Sequence, residues 1–490
     1  MTSAMQPANP PAGSLRDQVR MAVLWRSGSQ IVGQLITWTS TFLVIRILSP
    51  TDYGLYALTA VVLALLALMN GFGLANGLIQ RREVSPRDLR QLFGMLIALN
   101  LTLAAIQFAL APLVASYYGQ PVLADLLRVQ TLIYLSNPFL VLGYAVLSRR
   151  MDFRRQAKVN LIAGLASAAA ALGGALAGLG VWTLVLAPQV GFGVRALGMT
   201  IAARCFIRPS FDFRGARALA LYGGTVTLGQ FFWFVQTQAD IVIAGRLFEP
   251  HVLGIYTTSL FLTQMFVTKF VPPINEVAFS AYARVQDDSL AMKRGFLLAV
   301  RILMLICMPF SLGLAASAGP MVGVVLGEKW IETAPVIALL GFAMPFMTLQ
   351  VLFGPATNAK GRPGIYTRTS LAGAILLPLA FLVGVQWGII GLAASWIVAY
   401  PLLVAISACW ALPVLEVSPR ELLAACTPPA LAGLAMYALV RLADALLPAM
   451  HPTLHLAALV AIGGAVYGLW LLAFARGRLA ELVDLARRRG

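Results

Sequence analysis

Apolar residues run through this chain in long blocks, interrupted by glycine, proline or clusters of charge. A block of about 20 apolar residues is long enough to cross a bilayer as a helix. Breaking the chain at its interruptions predicts fourteen such spans: 23–47, 54–79, 91–115, 122–147, 157–178, 181–203, 217–245, 253–281, 296–318, 331–356, 365–386, 388–410, 421–446 and 454–475. The first block follows the polar lead MTSAMQPANPPAGSLRDQVR and has no small-residue cleavage site. It therefore reads as a retained helix and not as a signal peptide, with the tip before Leu15 expected to be disordered.

Charge placement tests the count. The basic loops RREVSPRDLR, RRMDFRRQAK, RCFIRPSFDFRGAR, RVQDDSLAMKR and KGRPGIYTR, a weaker EVSPRE and the tail ARGRLAELVDLARRRG fall at every second connection. With Arg16, Arg20 and Arg26 of the lead they hold 28 of the 36 Lys and Arg residues. Cytoplasmic loops are enriched in Lys and Arg, so the alternation predicts an even number of spans with both termini cytoplasmic. One missed span would break it halfway along the chain.

Composition agrees. Hydrophobic residues make up 59% of the 490 and charged residues 11%, with a mean hydropathy of +0.82. Soluble domains carry about 25% charged residues and could not bury this much apolar surface. The expected fold is an all-α, polytopic membrane protein. Its net charge of +17 is explained by basic loops facing anionic headgroups, so nucleic acid is not an expected partner. Cys205, Cys307, Cys409 and Cys426 show no CxxC pairing and read as packing residues. His451 and His455 are spaced like a helical metal pair, but a proline follows the first and no third ligand is near, so no metal is expected.

The stretch RILSPTDYGLY at 46–56 returns two hundred residues later as RLFEPHVLGIY. Arg46/Arg246, Pro50/Pro250, Gly54/Gly254 and Tyr56/Tyr256 match, as does Gln30/Gln230 before them. APLVASYYG at 111–119 is echoed by GPMVGVVLG at 319–327, and NPF at 137–139 by MPF at 344–346. Six spans separate the copies, an even number, so both have the same orientation in a parallel repeat. Such repeats build secondary transporters, with substrate sites where the halves meet. The expected organisation is a cytoplasmic tail at 1–20, an N-lobe of six spans at 21–210, a C-lobe of six at 211–410, spans 13 and 14 at 411–476, and a basic cytoplasmic tail at 477–490. The corner itself reads as an outer-face turn, broken by Pro and Gly, with Tyr at the interface.

RILSPTDYGLYAL, GFGLANGLIQRR, the echo ADIVIAGRLFEPHVLGIYTTS and the 12+2 span count together resemble the polysaccharide flippases of the multidrug/oligosaccharidyl-lipid/polysaccharide exporter superfamily, over roughly residues 20–410. The resemblance implies a non-enzymatic protein of the bacterial cytoplasmic membrane. It implies transfer of undecaprenyl-diphosphate-linked oligosaccharide between leaflets by alternating access, for lipopolysaccharide O-units or exopolysaccharide. A polysaccharide polymerase and export machinery would be its neighbours, and a monomer is the default state.

Ionisable groups inside spans are costly and mark function by default. They are Arg26, Arg128, Arg195, Asp240, Lys269, Glu276 and Arg301. Five bases against two acids favour an anionic ligand such as a lipid diphosphate. Substrate contacts are expected from Lys269, Arg195 and Arg26, with Gln30, Asn70, Gln230 and Asn275 available to sugar hydroxyls. Their bland alternatives are snorkelling, an ion pair of Lys269 with Asp240 or Glu276, and interhelical hydrogen bonds. Asp240 and Glu276 could hold a coupling proton or Na+, and no other cofactor is expected. Three other readings compete. A peptidoglycan-precursor flippase shares the span count and the cationic bias. A multidrug or cation antiporter would need an acidic N-lobe, whereas spans 1–3 lack a buried carboxylate. A membrane polymerase or ligase would need a large catalytic outer loop, which is absent here.

Overall fold

The computed structural model describes residues 33–68, 84–212 and 217–474, with side chains at all of these except 217–230. The described residues hold helices, turns and short connections, and no strand. Ten helical stretches are long and apolar enough to cross a membrane, one of which, Pro363–Leu415, contains two helices end to end. Three further spans are also helical, at 33–47, Arg217–Leu247 and Pro250–Arg284. Each of the fourteen predicted spans of this multi-pass membrane protein is thus largely helical over its described residues.

Local chemistry explains where the helices begin. Helices open on Pro50, Pro86, Pro250, Pro363, Pro419 and Pro452, where the missing N–H costs nothing because first-turn donors have no intrahelical acceptor. Ser85 with Asp88, and Ser418 with Glu421, form reciprocal capping boxes. Span 3 ends on Gly119 at φ +68°, a left-handed cap that favours glycine. The turn between spans 11 and 12 likewise closes on Gly388 at φ +69°.

Two features differ from the sequence expectation. Span 4 is two helices, Val122–Gln130 and Leu132–Arg149, parted at Thr131. Spans 3 and 8 are longer than their apolar blocks, at 33 and 35 residues. At about 1.5 Å per residue the latter is roughly 52 Å long, against about 30 Å of hydrocarbon. In both, the backbone stays helical past the ends of the apolar block.

Contacts group the chain into two units: Met1–Leu48 with Leu66–Thr227, and Ser49–Leu65 with Leu228–Gly490. In the first, span 6 (Val181–Ala203) packs against span 5 (Phe153–Leu176) and span 4. Spans 3 and 4 are joined by buried side chains: Asn137 donates to Asn100 Oδ1 at 2.9 Å and Tyr134 to Gln107 Oε1 at 2.8 Å. In the second, span 10 (Thr333–Ala359) packs against spans 8, 9 (Ser289–Ala316) and 12 (Gly388–Leu415). Spans 13 (Pro419–Leu446) and 14 (Pro452–Phe474) add a cluster in which Leu312 and Ala316 meet Ala432, Met436, Val440 and Tyr467. Lys293 pairs with Glu421 at 2.6 Å, at the start of span 13.

Candidate functional site

The repeated corner has the same hydrogen bonds in both copies. Leu48 N donates to Val44 O at 2.9 Å, and Phe248 N to Ala244 O at 2.7 Å. Tyr53 N donates to Ser49 O at 3.4 Å, and Leu253 N to Glu249 O at 3.0 Å. The caps differ: Ser49 exchanges hydrogen bonds with Asp52, whereas the Glu249 side chain makes no cap bond.

The two corners also touch one another. A Cβ built on Gly54 would overlap the Pro250 carbonyl, and one built on Gly254 would overlap the Pro50 carbonyl. Each added Cβ would also lie 3.0 Å from the other glycine's nitrogen. Spans 2 and 8 therefore cross backbone to backbone at equivalent residues, the close approach that small residues permit between membrane helices. Tyr53 packs edge-on against the fully buried Trp330, with ring centroids 5.5 Å apart. The sequence explained these glycines as helix breakers in a turn, yet both lie inside helices, and their spacing could not show that they meet.

Below the second corner lies a buried polar chain. Asp240 of span 7 is 1% exposed and accepts a hydrogen bond from Tyr256 Oη at 2.9 Å through Oδ2. Tyr256 Oη in turn accepts from Trp396 Nε1 at 2.8 Å. The Trp396 ring stacks on Tyr400 at 5.0 Å and lies 5.6 Å from Phe381. Gln236, one turn before Asp240 on the same face, is buried beside Tyr400, and Asp240 Oδ1 is buried and unpaired. Gly373 of span 11 leaves room for the Gln236 amide, since a Cβ there would overlap its Oε1. Sequence reading singled out Asp240 and missed Gln236, Tyr256, Trp396 and Tyr400. Tyr256 carried a signal, as a member of the repeated motif.

The cationic candidates have surroundings of their own. Arg195 of span 6 has a buried Nε with no partner, and its Cζ lies 5.9 Å from the Phe192 ring centroid. No carboxylate pairs with Arg195 among the described residues. Arg128 pairs with Asp125 at 3.6 Å and sits over Phe108. On span 8, Lys269 and Glu276 are exposed and form no ion pair with each other, and Lys269 forms none with Asp240. Asn275 is half-buried, with its Oδ1 buried and unpaired. Arg26, Gln30 and Asn70 lie outside the described residues, as does the side chain of Gln230. No group of three or more His, Cys, Asp or Glu able to hold a metal ion occurs among the described residues.

A family described as "Polysaccharide biosynthesis protein" has a sequence profile that matches residues 43–335. The chain belongs to this family. The resemblance drawn from the corner motif thus led to the right group, the polysaccharide flippases of the exporter superfamily. Succinoglycan biosynthesis transport protein ExoT of Rhizobium meliloti (strain 1021) is 26% identical over 447 residues, 91% of this chain and 90% of the relative. Lipopolysaccharide biosynthesis protein WzxC of Escherichia coli (strain K12) is 24% identical over 375 residues, 76% of each. Among solved structures, the inward closed lipid II flippase MurJ superposes with a TM-score of 0.76 at 12% identity, covering 93% of this chain and all of that one. An inward-facing multidrug transporter of the MATE family gives 0.62 at 14%, covering 81% and 98%. At these identities the two structures establish a shared fold and nothing about ligands.

Proposed function

We propose that this protein moves undecaprenyl-diphosphate-linked oligosaccharide from the cytoplasmic to the periplasmic leaflet of a bacterial inner membrane. Transport would serve lipopolysaccharide O-unit or exopolysaccharide assembly, with both termini of the chain in the cytoplasm. Family membership and relatives named for succinoglycan transport and lipopolysaccharide biosynthesis support the polysaccharide setting.

The observation that carries the anionic substrate is Arg195. A buried guanidinium nitrogen with no protein acceptor is expensive, and its planar donors match the oxygens of a diphosphate. Lys269 and Asn275 on span 8 are the further contacts in this reading, joined by Arg26, Gln30, Asn70 and Gln230. Transport runs by alternating access, for which the crossing at Gly54 and Gly254 supplies an outer closure: two helices meet there without interlocking side chains and can part at small cost.

Asp240 is the seat of the coupling cation, and a proton fits it best. The oxygen that is bonded faces a hydroxyl donor and the other faces no protein partner, an arrangement suited to a carboxyl group that gains and loses one proton. Na+ would need several oxygen ligands converging on one point. Glu276, exposed on span 8, is the weaker candidate. A peptidoglycan-precursor flippase is the second reading; it shares the fold, and nothing in the site favours it.

The test is protection of glycan in inverted membrane vesicles. Lipid-linked oligosaccharide should become inaccessible to external glycosidase only when the protein is present, and Arg195→Ala should remove that protection without lowering the amount of protein in the membrane. Equal protection in vesicles without the protein would refute the reading for the glycan used.

A further inference from the structure

We infer that Tyr256 is a positioning residue that transmits the charge state of Asp240 to the glycine crossing between spans 2 and 8; this rests on Asp240 being the coupling acid. Tyr256 is fully buried and lies two residues after Gly254, within the first two turns of span 8. Among the described residues, its hydroxyl is the group of that segment that hydrogen-bonds to Asp240. Direction in the chain is fixed by chemistry: an indole N–H can only donate, so Tyr256 Oη accepts from Trp396 and its own proton points to Asp240 Oδ2. Stacking on Tyr400 and contact with Phe381 hold the Trp396 ring in place.

This arrangement decides what protonation does. A proton arriving from the aqueous phase forms its O–H bond on Oδ1, the oxygen without a partner, and Tyr256 keeps its own hydroxyl proton. The bond from Tyr256 then runs to a neutral acid and no longer to a carboxylate, which removes its charge assistance and roughly halves its strength. The span-8 end of that weakened bond lies half a turn from the contact of Gly254 with Pro50. Charge on Asp240 therefore tightens span 8 against span 7 near the crossing, and neutralisation loosens it. The titratable groups that face Asp240 are Tyr256 from span 8 and Tyr400 from span 12, and no lysine, arginine or histidine pairs with it among the described residues.

The experiment uses the full chain in lipid nanodiscs with Cys205, Cys307, Cys409 and Cys426 replaced by alanine, in a parent shown to transport. Nitroxide labels go on Thr51→Cys and Glu249→Cys, two exposed positions flanking the crossing. Their distance distribution is measured by double electron–electron resonance from acidic to alkaline pH. The parent should shift with pH, Asp240→Asn should not, and Tyr256→Phe should melt within a few degrees of the parent yet also lose the shift. Should Tyr256→Phe fail to fold, Trp396→Phe replaces it and should shrink the shift by at least half. A parent and Tyr256→Phe (or, in its place, Trp396→Phe) with the same shift, beside an unresponsive Asp240→Asn, would remove this inference and leave the coupling role intact. A shift that survives in Asp240→Asn, or a parent without one, would overturn both.

Discussion

The two copies of the repeated corner share backbone hydrogen bonds, and the chain around each differs in what it buries. Two hundred residues before Asp240 stands Ser40, whose hydroxyl donates to the Ala168 carbonyl at 3.3 Å. Opposite Gln236 stands Ile36. In the first unit the large polar side chains Asn100, Gln107, Tyr134 and Asn137 are paired with one another or with backbone. In the second, one oxygen of Asp240 is buried with nothing to bond. The unpaired polar atom of the first unit that stands out is cationic, on Arg195. A satisfied polar network holds helices together, whereas a buried polar atom without a partner costs stability and is retained where something else binds. On that criterion the proposed substrate cation Arg195 and the proposed coupling acid Asp240 stand in different copies, with Lys269 of the second copy a further proposed contact.

The division can be broken at several points. The largest effect on the response to a pH gradient is expected for Asp240→Asn, which removes the ionisable group: driven transport should fall to the undriven rate in proteoliposomes. Next comes Arg195→Ala. Charged hydrogen bonds are worth about 1.5–3 kcal/mol, so binding of undecaprenyl diphosphate should weaken by roughly 10- to 150-fold in a titration, with Arg195→Lys in between. Gly254→Leu forces a side chain into the Pro50 carbonyl. It should prevent closure at the crossing, seen as outer-face labelling of a cysteine at Thr51 that no longer varies with pH, while Gly119→Ala should leave labelling unchanged. The smallest effect belongs to the paired network: Asn137→Ala should cost about 0.6–2 kcal/mol, a fall of a few degrees in melting temperature with transport retained.

Much of this architecture could be read from the chain alone. Apolar block length and the spacing of basic loops depend on local sequence, and the number of spans they predict matches the helices found. The corner was legible as a repeat for the same reason. What it does was not, because the meeting of Gly54 with Gly254 depends on how two helices cross. The Asp240 chain shows the same limit. An acid in a span is conspicuous, but Trp396 and Tyr400 look like ordinary membrane aromatics until packing sets them beside it. The ends of span 8 escaped as well, since its first and last turns, with Pro250, His251 and Arg284, do not read as apolar.

The most direct test of the division between copies is one flipping assay run with and without an imposed pH gradient, on proteoliposomes carrying the parent, Arg195→Ala or Asp240→Asn. Asp240→Asn should still equilibrate lipid-linked oligosaccharide between leaflets but ignore the gradient, while Arg195→Ala should do neither. If the two variants fail in the same way, or if Asp240→Asn accumulates substrate along the gradient as the parent does, the assignment of separate tasks to the two copies is wrong.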